Sequence, residues 1–304
     1  MPFSDVYRNQ VALLVRALPS VATEECFALK GGTAINLFVR DMPRLSVDID
    51  LTYLPVEDRK TSLGNIDAAM KRIAARIGEG LAGVSVIEAE PKEGAVIKLF
   101  VRQSGVQIKI EVTPVLRGCV FDPEWQTVSP VVEDTFGFAE IQVVSFSDLY
   151  AGKIVAALDR QHPRDLFDIR DLFVNEGVDD NLRRAFLVYL ISHNRPMAEV
   201  LAPRIKALDD EYVRAFDGMT REHVSIETLN NAREQLIETI TGGMPPEHQR
   251  FLISFEKGAP DWDLLEIQHV ADLPAVRFRQ LNLDKLGDDA RTDLITRLEQ
   301  VFAR

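Results

Sequence analysis

The sequence predicts an α+β fold, in which a mixed β-sheet flanked by helices is followed by a mainly helical C-terminal region. Several short segments between residues 45 and 144 alternate apolar and polar side chains with the period of a β-strand. Apolar residues at helical spacing occur between those segments, and from Asp180 onward this helical pattern dominates. Strands and helices that precede a run of helices are typical of an α+β protein. We therefore expect one domain over residues 1–175 and a helical domain over residues 176–304.

The first elements are a helix, a glycine turn and a second helix. Apolar residues at helical spacing predict a helix over residues 5–18. Residues 31–33 (GGT) form a turn that ends a short segment and precedes a helix over about residues 33–40. Met42 and Pro43 end that helix, because proline disfavours helical geometry in the residue before it.

A strand with two carboxylates on one face comes next. From position 47 the side chains of Val47, Ile49 and Leu51 point to one side, and those of Asp48 and Asp50 point to the other. Two aspartates at positions i and i+2 of a strand are therefore neighbours on the same surface.

The remaining elements of the first half follow from similar patterns. The sequence predicts a helix over residues 62–80 and strands over 84–87, 95–101, 106–112 and 141–144. Residues 103–105 form a hairpin turn between two of these strands, and residues 122–130 are expected to be a loop. Ser147 caps a helix that ends near Arg160, and Pro163 begins another that ends near Phe173.

Composition narrows the class of protein. The chain has 304 residues, of which 46% are hydrophobic and 27% charged, as in a soluble globular protein. It has no apolar run of the ~20 residues that a membrane helix needs and no secretory signal pattern at its N-terminus, so we expect a cytoplasmic protein without a membrane partner. The two cysteines are far apart in apolar surroundings, which predicts reduced thiols and no zinc site.

The net charge of −12 argues against a protein that coats nucleic acid indiscriminately. It leaves room for a local basic groove, because several basic residues of the first 170 positions could line one. These residues are Arg40, Arg44, Lys98, Arg102, Lys109, Arg117, Lys153, Arg160 and Arg164.

Asp48 and Asp50 have the arrangement that a divalent metal requires. Mg²⁺ prefers hard oxygen ligands and commonly takes one or two carboxylates together with substrate phosphates. A two-metal site expects a third carboxylate, and Glu111 is the candidate because it lies on a strand whose apolar residues pack on the opposite side. Glu111 has an alternative role, which is to pair with a lysine on a neighbouring strand.

The glycine turn supplies a site for phosphate. Gly31 and Gly32 allow close approach to the backbone, and the amides at a helix N-terminus favour an anion such as a triphosphate. A Gly-Gly pair alone has little specificity, but here Asp48 follows Gly32 by sixteen residues on a predicted strand.

Four segments together resemble the AbiE-type nucleotidyltransferase toxins of type IV toxin–antitoxin systems, first associated with abortive infection. Residues 29–34 (LKGGTA) and 44–51 (RLSVDIDL) resemble the first half of that family's pattern. Residues 153–160 (KIVAALDR) resemble its Lys-x-x-Ala-x-x-x-Arg motif, and residues 164–169 (RDLFDI) resemble its Arg-Asp-x-x-Asp motif. The set spans residues 29–173, and the helical remainder is similar only in general character.

The resemblance implies a polymerase-beta-like fold and a magnesium-dependent or manganese-dependent transfer of a nucleotide from a nucleoside triphosphate. It implies an RNA acceptor, the 3′ end of transfer RNA, whose modification blocks translation, and an antitoxin encoded nearby. In the expected mechanism a terminal hydroxyl attacks the α-phosphate in line between two metals, and pyrophosphate leaves.

The resemblance also assigns roles to residues. It implies metal binding by Asp48 and Asp50, with Glu111 as third ligand, and catalytic support by Asp165 or Asp168. Nucleotide binding falls to Gly31, Gly32, Thr33, Lys153 and Arg160. The spacing of Lys153 and Arg160 independently places both cations on one helix face, where they can offset charge on a transferred phosphoryl group.

Several alternatives remain open at this stage. Lys153 can be an ordinary exposed lysine, and Arg164, Asp165 and Asp168 can belong to a salt-bridged surface helix. His162 lies in a turn before Pro163, where a lone histidine is usually a loop residue. The acceptor can be a protein side chain instead of RNA. The fold can also serve as a non-catalytic regulatory module, although such a module has no need to retain Asp48, Asp50, both glycines and Lys153 together.

Overall fold

A computed structural model describes residues 4–303 of the chain, and within them the strands form one seven-stranded mixed sheet. The strands are β1 (Phe27–Lys30), β2 (Asp48–Tyr53), β3 (Ser85–Glu88), β4 (Lys98–Gln103), β5 (Val106–Arg117), β6 (Glu124–Thr127) and β7 (Glu140–Val143). Their order in the sheet is β3-β4-β5-β2-β1-β7-β6. The α+β class predicted from the sequence is confirmed.

Helices surround the sheet in the first half of the chain and make up most of the second half. Those of the first half are α1 (Asp5–Ala22), α2 (Gly31–Ala34, continued by a π-helical turn at Ile35–Val39), α3 (Arg59–Gly80) and α4 (Pro130–Phe136). Those of the second half are α5 (Phe146–Arg160), α6 (Pro163–Asn175), α7 (Asp180–Ile191), α8 (Met197–Leu201), α9 (Asp209–Ala215), α10 (Ile226–Ile237), α11 (Pro246–Glu256), α12 (Pro274–Leu283) and α13 (Asp288–Phe302).

Strand β2 occupies the centre of the sheet. It runs antiparallel to β1 and parallel to β5, and Ile49 and Leu51 on one of its faces are fully buried. Helices α1 and α3 pack against the sheet and against each other. Burying one apolar face in this way leaves the alternate residues, Asp48 and Asp50, on the other face, as the period-two pattern predicted.

Most predicted elements are confirmed, and the differences have physical reasons. The stretch predicted as a loop contains β6 and ends where α4 begins, at Pro130; β6 is an edge strand whose largely exposed side chains lack apolar alternation. The second helix begins at Gly31 rather than near residue 33. Helix α5 begins at Phe146, whose ring packs 4.6 Å from that of Tyr150, so Ser147 lies inside the first turn instead of capping it.

By its internal contacts the chain divides into two compact units. The first ends at Ser145 and includes the short segment Gly218–His223; the second comprises Phe146–Asp217 and resumes at Val224. The first unit holds the whole sheet, and the second holds α5 to α13. This division falls earlier than residue 175, and the boundary expected there for the nucleotidyltransferase domain stays a prediction. Over residues 4–303, no helix has the length and apolar character needed to cross a membrane.

Candidate active site

A row of four charged residues crosses the sheet at the polar face of β2. Asp50 of β2 lies opposite Lys30 of β1 on one side and opposite Glu111 of β5 on the other, and Glu111 in turn lies opposite Lys98 of β4. Residues that face each other across strands share one surface of the sheet. The pairing therefore places two carboxylates side by side between two lysines.

A second row lies next to the first. Asp48 pairs in register with Lys109 of β5, and the Lys109 Nζ is 3.5 Å from Asp48 Oδ2 and 2.9 Å from Glu111 Oε2. The other oxygen of Glu111 is 3.0 Å from Lys98 Nζ. The sequence-based alternative that Glu111 pairs with a lysine across the sheet is therefore confirmed.

Burial and neighbouring charges shift the pKa values of Asp50 and Glu111. Burial raises the pKa of Asp50, and the nearby Asp48 adds to this, while Lys109 and Lys30 act in the opposite direction. Burial also opposes ionisation of Glu111, but its hydrogen bonds to Lys109 and Lys98 outweigh this and lower its pKa. An additional positive charge nearby would therefore favour the ionised form of Asp50.

The glycine turn lies directly against this surface. Gly31 has a backbone φ of +75°, and a methyl group built on it would lie 2.8 Å from Asp50 Oδ2. A methyl group on Gly32 would lie 2.8 Å from the Arg44 guanidinium and 2.9 Å from the Ser46 hydroxyl. Gly31 therefore combines a left-handed backbone with a close approach to Asp50, and a side chain at Gly32 would force the ends of Arg44 and Ser46 to shift.

Hydrogen bonds fasten the turn to the segment before β2. Thr33 Oγ1 lies within hydrogen-bond distance of the Asp48 carbonyl and 3.1 Å from the Ser46 hydroxyl. The fully buried Asn36 donates to the Gly32 carbonyl at 2.8 Å and accepts from the Arg44 amide at 3.3 Å. Thr33 and Asn36 therefore fix the spacing between the glycines and the aspartates.

A short segment from later in the chain supports the same place. The Leu45 amide donates to the Met219 carbonyl, and the Arg221 amide donates to the Pro43 carbonyl, both at 2.9 Å. The Arg44 guanidinium, 2% exposed, donates to the Leu45 carbonyl. These bonds hold residues 43–45 on both sides just before Asp48, a role for residues 218–223 that no local sequence pattern indicated.

The donor set on β2 fits a magnesium ion. Asp48 and Asp50 present carboxylate oxygens on one surface, and Mg²⁺ commonly uses one or two carboxylates and keeps several waters. Within residues 4–303 no three Asp, Glu, His or Cys side chains converge as a ready-made metal cluster. The fit therefore rests on the two aspartates, and Glu111, held by its lysines, stays a prediction as third ligand.

The second group of predicted residues forms a buried ion-pair cluster in the second unit. Lys153 Nζ of α5 lies 2.8 Å from Asp165 Oδ1 and 3.0 Å from Asp168 Oδ2 of α6. The side chain of Lys153 is 7% exposed and those of both aspartates are 1% exposed, so the alternative of an ordinary exposed lysine is wrong. Arg160, on the same face of α5 as predicted, binds Asp165 through Nε and Nη2.

These contacts determine what the cluster can do. Burial alone would raise the pKa of Asp165, but Lys153 and Arg160 outweigh it and hold the pKa well below its usual range. A general base works best with a pKa near the operating pH, so Asp165 is suited to holding cations in place rather than to accepting a proton. Asp168 pairs with Lys153, and Arg164 is exposed to solvent.

The turn between α5 and α6 has a structural role. His162 Nδ1 accepts a hydrogen bond from the Arg164 amide and so caps α6, with Pro163 in its first turn. This agrees with the interpretation of His162 as a loop residue. The hydrogen bond also requires an unprotonated Nδ1, and burial lowers the pKa of His162 accordingly.

Several basic residues that were candidates for a groove make internal contacts. Arg44, Arg117 and Lys153 are buried, and Lys98 and Lys109 bind carboxylates. Basic side chains that are buried or already bound to carboxylates are not free to bind RNA phosphates. The basic residues that were candidates for a groove therefore do not by themselves indicate an RNA-binding surface.

Comparisons with known proteins concern the family and the fold of this chain. The sequence model of the nucleotidyl transferase AbiEii toxin family, from type IV toxin–antitoxin systems, matches residues 12–270. That range contains both clusters and extends well beyond the motifs at residues 29–173. A search of curated proteins found no match.

Among solved structures, the fold is similar to that of MenT4, a nucleotidyltransferase toxin from Mycobacterium tuberculosis H37Rv. The two share 19% sequence identity with a TM-score of 0.57, over 91% of this chain and 92% of the other. At 19% identity this similarity supports the fold alone, and the family is supported by the match of the sequence model.

Proposed function

Because this chain belongs to the AbiEii family of type IV nucleotidyl transferase toxins, we propose that it transfers a nucleotide from a nucleoside triphosphate to the 3′ end of transfer RNA and so blocks translation. The observation that carries the proposal is the position of Asp48 and Asp50 beside the glycine turn, with the Gly31 backbone against the Asp50 carboxylate. The turn can hold a phosphate chain while the two aspartates beside it hold the divalent metal that neutralises the phosphate charge.

In the proposed reaction an RNA hydroxyl oxygen forms a bond to the α-phosphorus. The bond from that phosphorus to the bridging oxygen breaks, pyrophosphate leaves, and the hydroxyl proton passes to solvent. The backbone at Gly31, Gly32 and Thr33 holds the phosphates by close approach. Thr33 and Asn36 keep this turn in register with β2, which positions the two reactants for in-line displacement.

Asp48 and Asp50 would hold Mg²⁺ or Mn²⁺, with Glu111 as a further ligand, and the metal would offset the charge that develops on the phosphates. The chain's own part is to keep these carboxylates ionised and aligned. Lys109 contributes by lying 3.5 Å from Asp48 and 2.9 Å from Glu111, which limits the repulsion among three neighbouring acids.

We assign Lys153, Asp165 and Asp168 a positioning role, because the lysine is already neutralised by two buried carboxylates. The family resemblance assigns Lys153 to the triphosphate, and the helical spacing adds Arg160 to it. Of these two, Arg160 has the more exposed side chain, 61%, and is the better placed to meet a ligand from solvent.

The acceptor is proposed from the family resemblance, which implies transfer RNA. The family also supports an antitoxin as a protein partner. Strong net negative charge disfavours indiscriminate RNA binding, which is consistent with an enzyme that selects one end of one class of RNA.

The test is a labelling reaction with the full-length protein, Mg²⁺, each labelled nucleoside triphosphate in turn and total transfer RNA. Asp50→Asn removes a charge at the proposed site with no change of shape, and Asp134→Ala, an exposed acid on α4, is the control. We expect label in RNA with the wild type and with the control, and none with Asp50→Asn.

Other outcomes have separate meanings. Label in protein instead of RNA would change the acceptor to a side chain. Absence of transfer to either, with the protein folded and no nucleotide-dependent gain in melting temperature in the presence of Mg²⁺, would favour a regulatory module and overturn the proposal.

A further inference from the structure

Three lysines lie on the carboxylate face of the sheet, and they differ in their partners. Lys98 and Lys109 each have a Glu111 oxygen within 3.0 Å. Lys30 lies opposite Asp50 in the β1–β2 pairing, yet among residues 4–303 no carboxylate lies within 4 Å of its ammonium. Within the described residues, the Lys30 ammonium therefore forms no direct ion pair with a carboxylate.

The position of Lys30 in the chain is equally specific. It is the last residue of β1 and immediately precedes Gly31, where an added methyl group would lie 2.8 Å from Asp50 Oδ2. An anion held at the glycine turn would thus lie beside Lys30 in the chain. Asp50 and Glu111 attract the ammonium across the strands without contacting it.

Burial makes an unpaired ammonium unfavourable. Loss of water lowers the pKa of Lys30, and the attraction of Asp50 and Glu111 compensates only in part. A half-buried cation of this kind gains from an anionic ligand, whereas Lys98 and Lys109 would have to give up a carboxylate first.

We propose that Lys30 is a substrate-binding residue whose ammonium contacts the non-bridging phosphate oxygens of a nucleoside triphosphate bound at the Gly31–Thr33 turn. The inference rests on the proposed function and adds a residue to its site. A lysine presents a compact positive charge with three donors, which suits phosphate. The competing role for Lys30 is charge balance alone, in which it offsets Asp50 and Glu111 and never touches the nucleotide.

Kinetics of Lys30→Met and Lys30→Arg, with Lys92→Met as the control, separate these roles. Lys92 is an exposed lysine of the same unit, remote in sequence from the turn. We expect Lys30→Met to raise the KM for the nucleoside triphosphate about tenfold or more, because a charged hydrogen bond to phosphate is lost. Lys30→Arg should lie between Lys30→Met and the wild type, and Lys92→Met should match the wild type.

A binding measurement that needs no catalysis accompanies the kinetics. The melting temperature is recorded with Mg²⁺ and inorganic pyrophosphate, which carries the phosphate chain without base or sugar. We expect pyrophosphate to stabilise the wild type and Lys92→Met, and to stabilise Lys30→Met much less. Should Lys30→Met fail to fold, Lys30→Gln replaces it in both assays.

The outcomes distinguish this inference from the proposed function. If the wild type transfers nucleotide and Lys30→Met keeps its KM and its response to pyrophosphate, the phosphate contact is refuted. A lower melting temperature of Lys30→Met with an unchanged KM would likewise refute it, in favour of charge balance. If the wild type transfers nothing, the proposed function fails, and the pyrophosphate response alone decides whether Lys30 binds phosphate.

Discussion

The close approach of Gly31 to Asp50 predicts a large effect of the smallest possible substitution. In Gly31→Ala the new methyl group would lie 2.8 Å from Asp50 Oδ2, and the residue would have to keep a φ of +75°. A left-handed backbone costs a residue other than glycine about 1–2 kcal/mol. Forcing a methyl group into a packed contact adds about 1–3 kcal/mol, so we expect a loss of roughly 2–5 kcal/mol.

The assay compares Gly31→Ala with Gly64→Ala by thermal denaturation and by nucleotide transfer. Gly64 lies in α3 with a helical backbone, is exposed, and would bring its methyl group within 4 Å of nothing. Alanine at that position should stabilise the helix by about 0.5–1 kcal/mol, so the two substitutions should change the melting temperature in opposite directions. For a unit of this size each kcal/mol corresponds to about 2–4 °C.

Activity gives the second half of the test. Gly31→Ala can relieve its clash only by moving the turn or the Asp50 carboxylate, and either movement separates the two parts of the proposed site. We expect transfer to fall by far more than the folded fraction does, while Gly64→Ala keeps full activity. Equal melting temperatures for the two variants, or full activity of Gly31→Ala, would show that the contact between the turn and β2 is not as described.

Three further predictions concern the charged groups. Asp50→Asn should match or exceed the wild type in melting temperature without metal, since burial and Asp48 already disfavour its charge, and should lose the stabilisation that Mg²⁺ and nucleotide give together. Lys153→Met leaves Asp165 and Asp168 buried without their shared cation, so it should lower the free energy of unfolding, measured by urea denaturation, by about 3–5 kcal/mol. The double variant Lys153→Met/Asp168→Asn should recover part of the lost free energy. Because the pKa of Asp165 is lowered on folding, its pairing stabilises the fold above the ordinary value of 3.8 and is lost as the pH falls further; Asp165→Asn should flatten this part of the curve of stability against pH, and an unchanged curve would contradict the assignment.

The elements that carry the site were accessible from the sequence because their patterns are local. Ile49 and Leu51 are fully buried, whereas Asp48 and Asp50 are only partly buried, as alternation with period two requires. Lys153 and Arg160 share a helix face because seven residues make nearly two turns, and both indeed reach Asp165. In each case the side chains that meet lie on one element or on neighbouring ones.

What the sequence could not provide is the register between distant strands. Nothing local states that Lys30, Asp50, Glu111 and Lys98 fall in one row, because the pairing of β1, β2, β5 and β4 joins residues far apart in the chain. For the same reason the support of residues 43–45 by the segment Gly218–His223 was not foreseen. A count of charges also cannot tell a solvated arginine from Arg44, whose buried guanidinium donates to the Leu45 carbonyl.

Glu111 shows why a contact in the structure does not settle a role. Its two lysine partners were the alternative to a metal-binding function, and the ion pairs exist. All three side chains are about one-quarter exposed, however, and ion pairs at that exposure contribute only about 0–1 kcal/mol. Such pairs keep the carboxylate ionised and oriented, as its lowered pKa indicates, without holding it too tightly to be released. Lysine pairing and metal binding are therefore compatible as successive states of one side chain. The two roles are distinguished by Lys98→Met, which weakens the pairing. It should raise the Mg²⁺ affinity if Glu111 is a ligand, and this gain should disappear when Glu111→Gln is already present; an unchanged affinity would leave Glu111 with the pairing role alone.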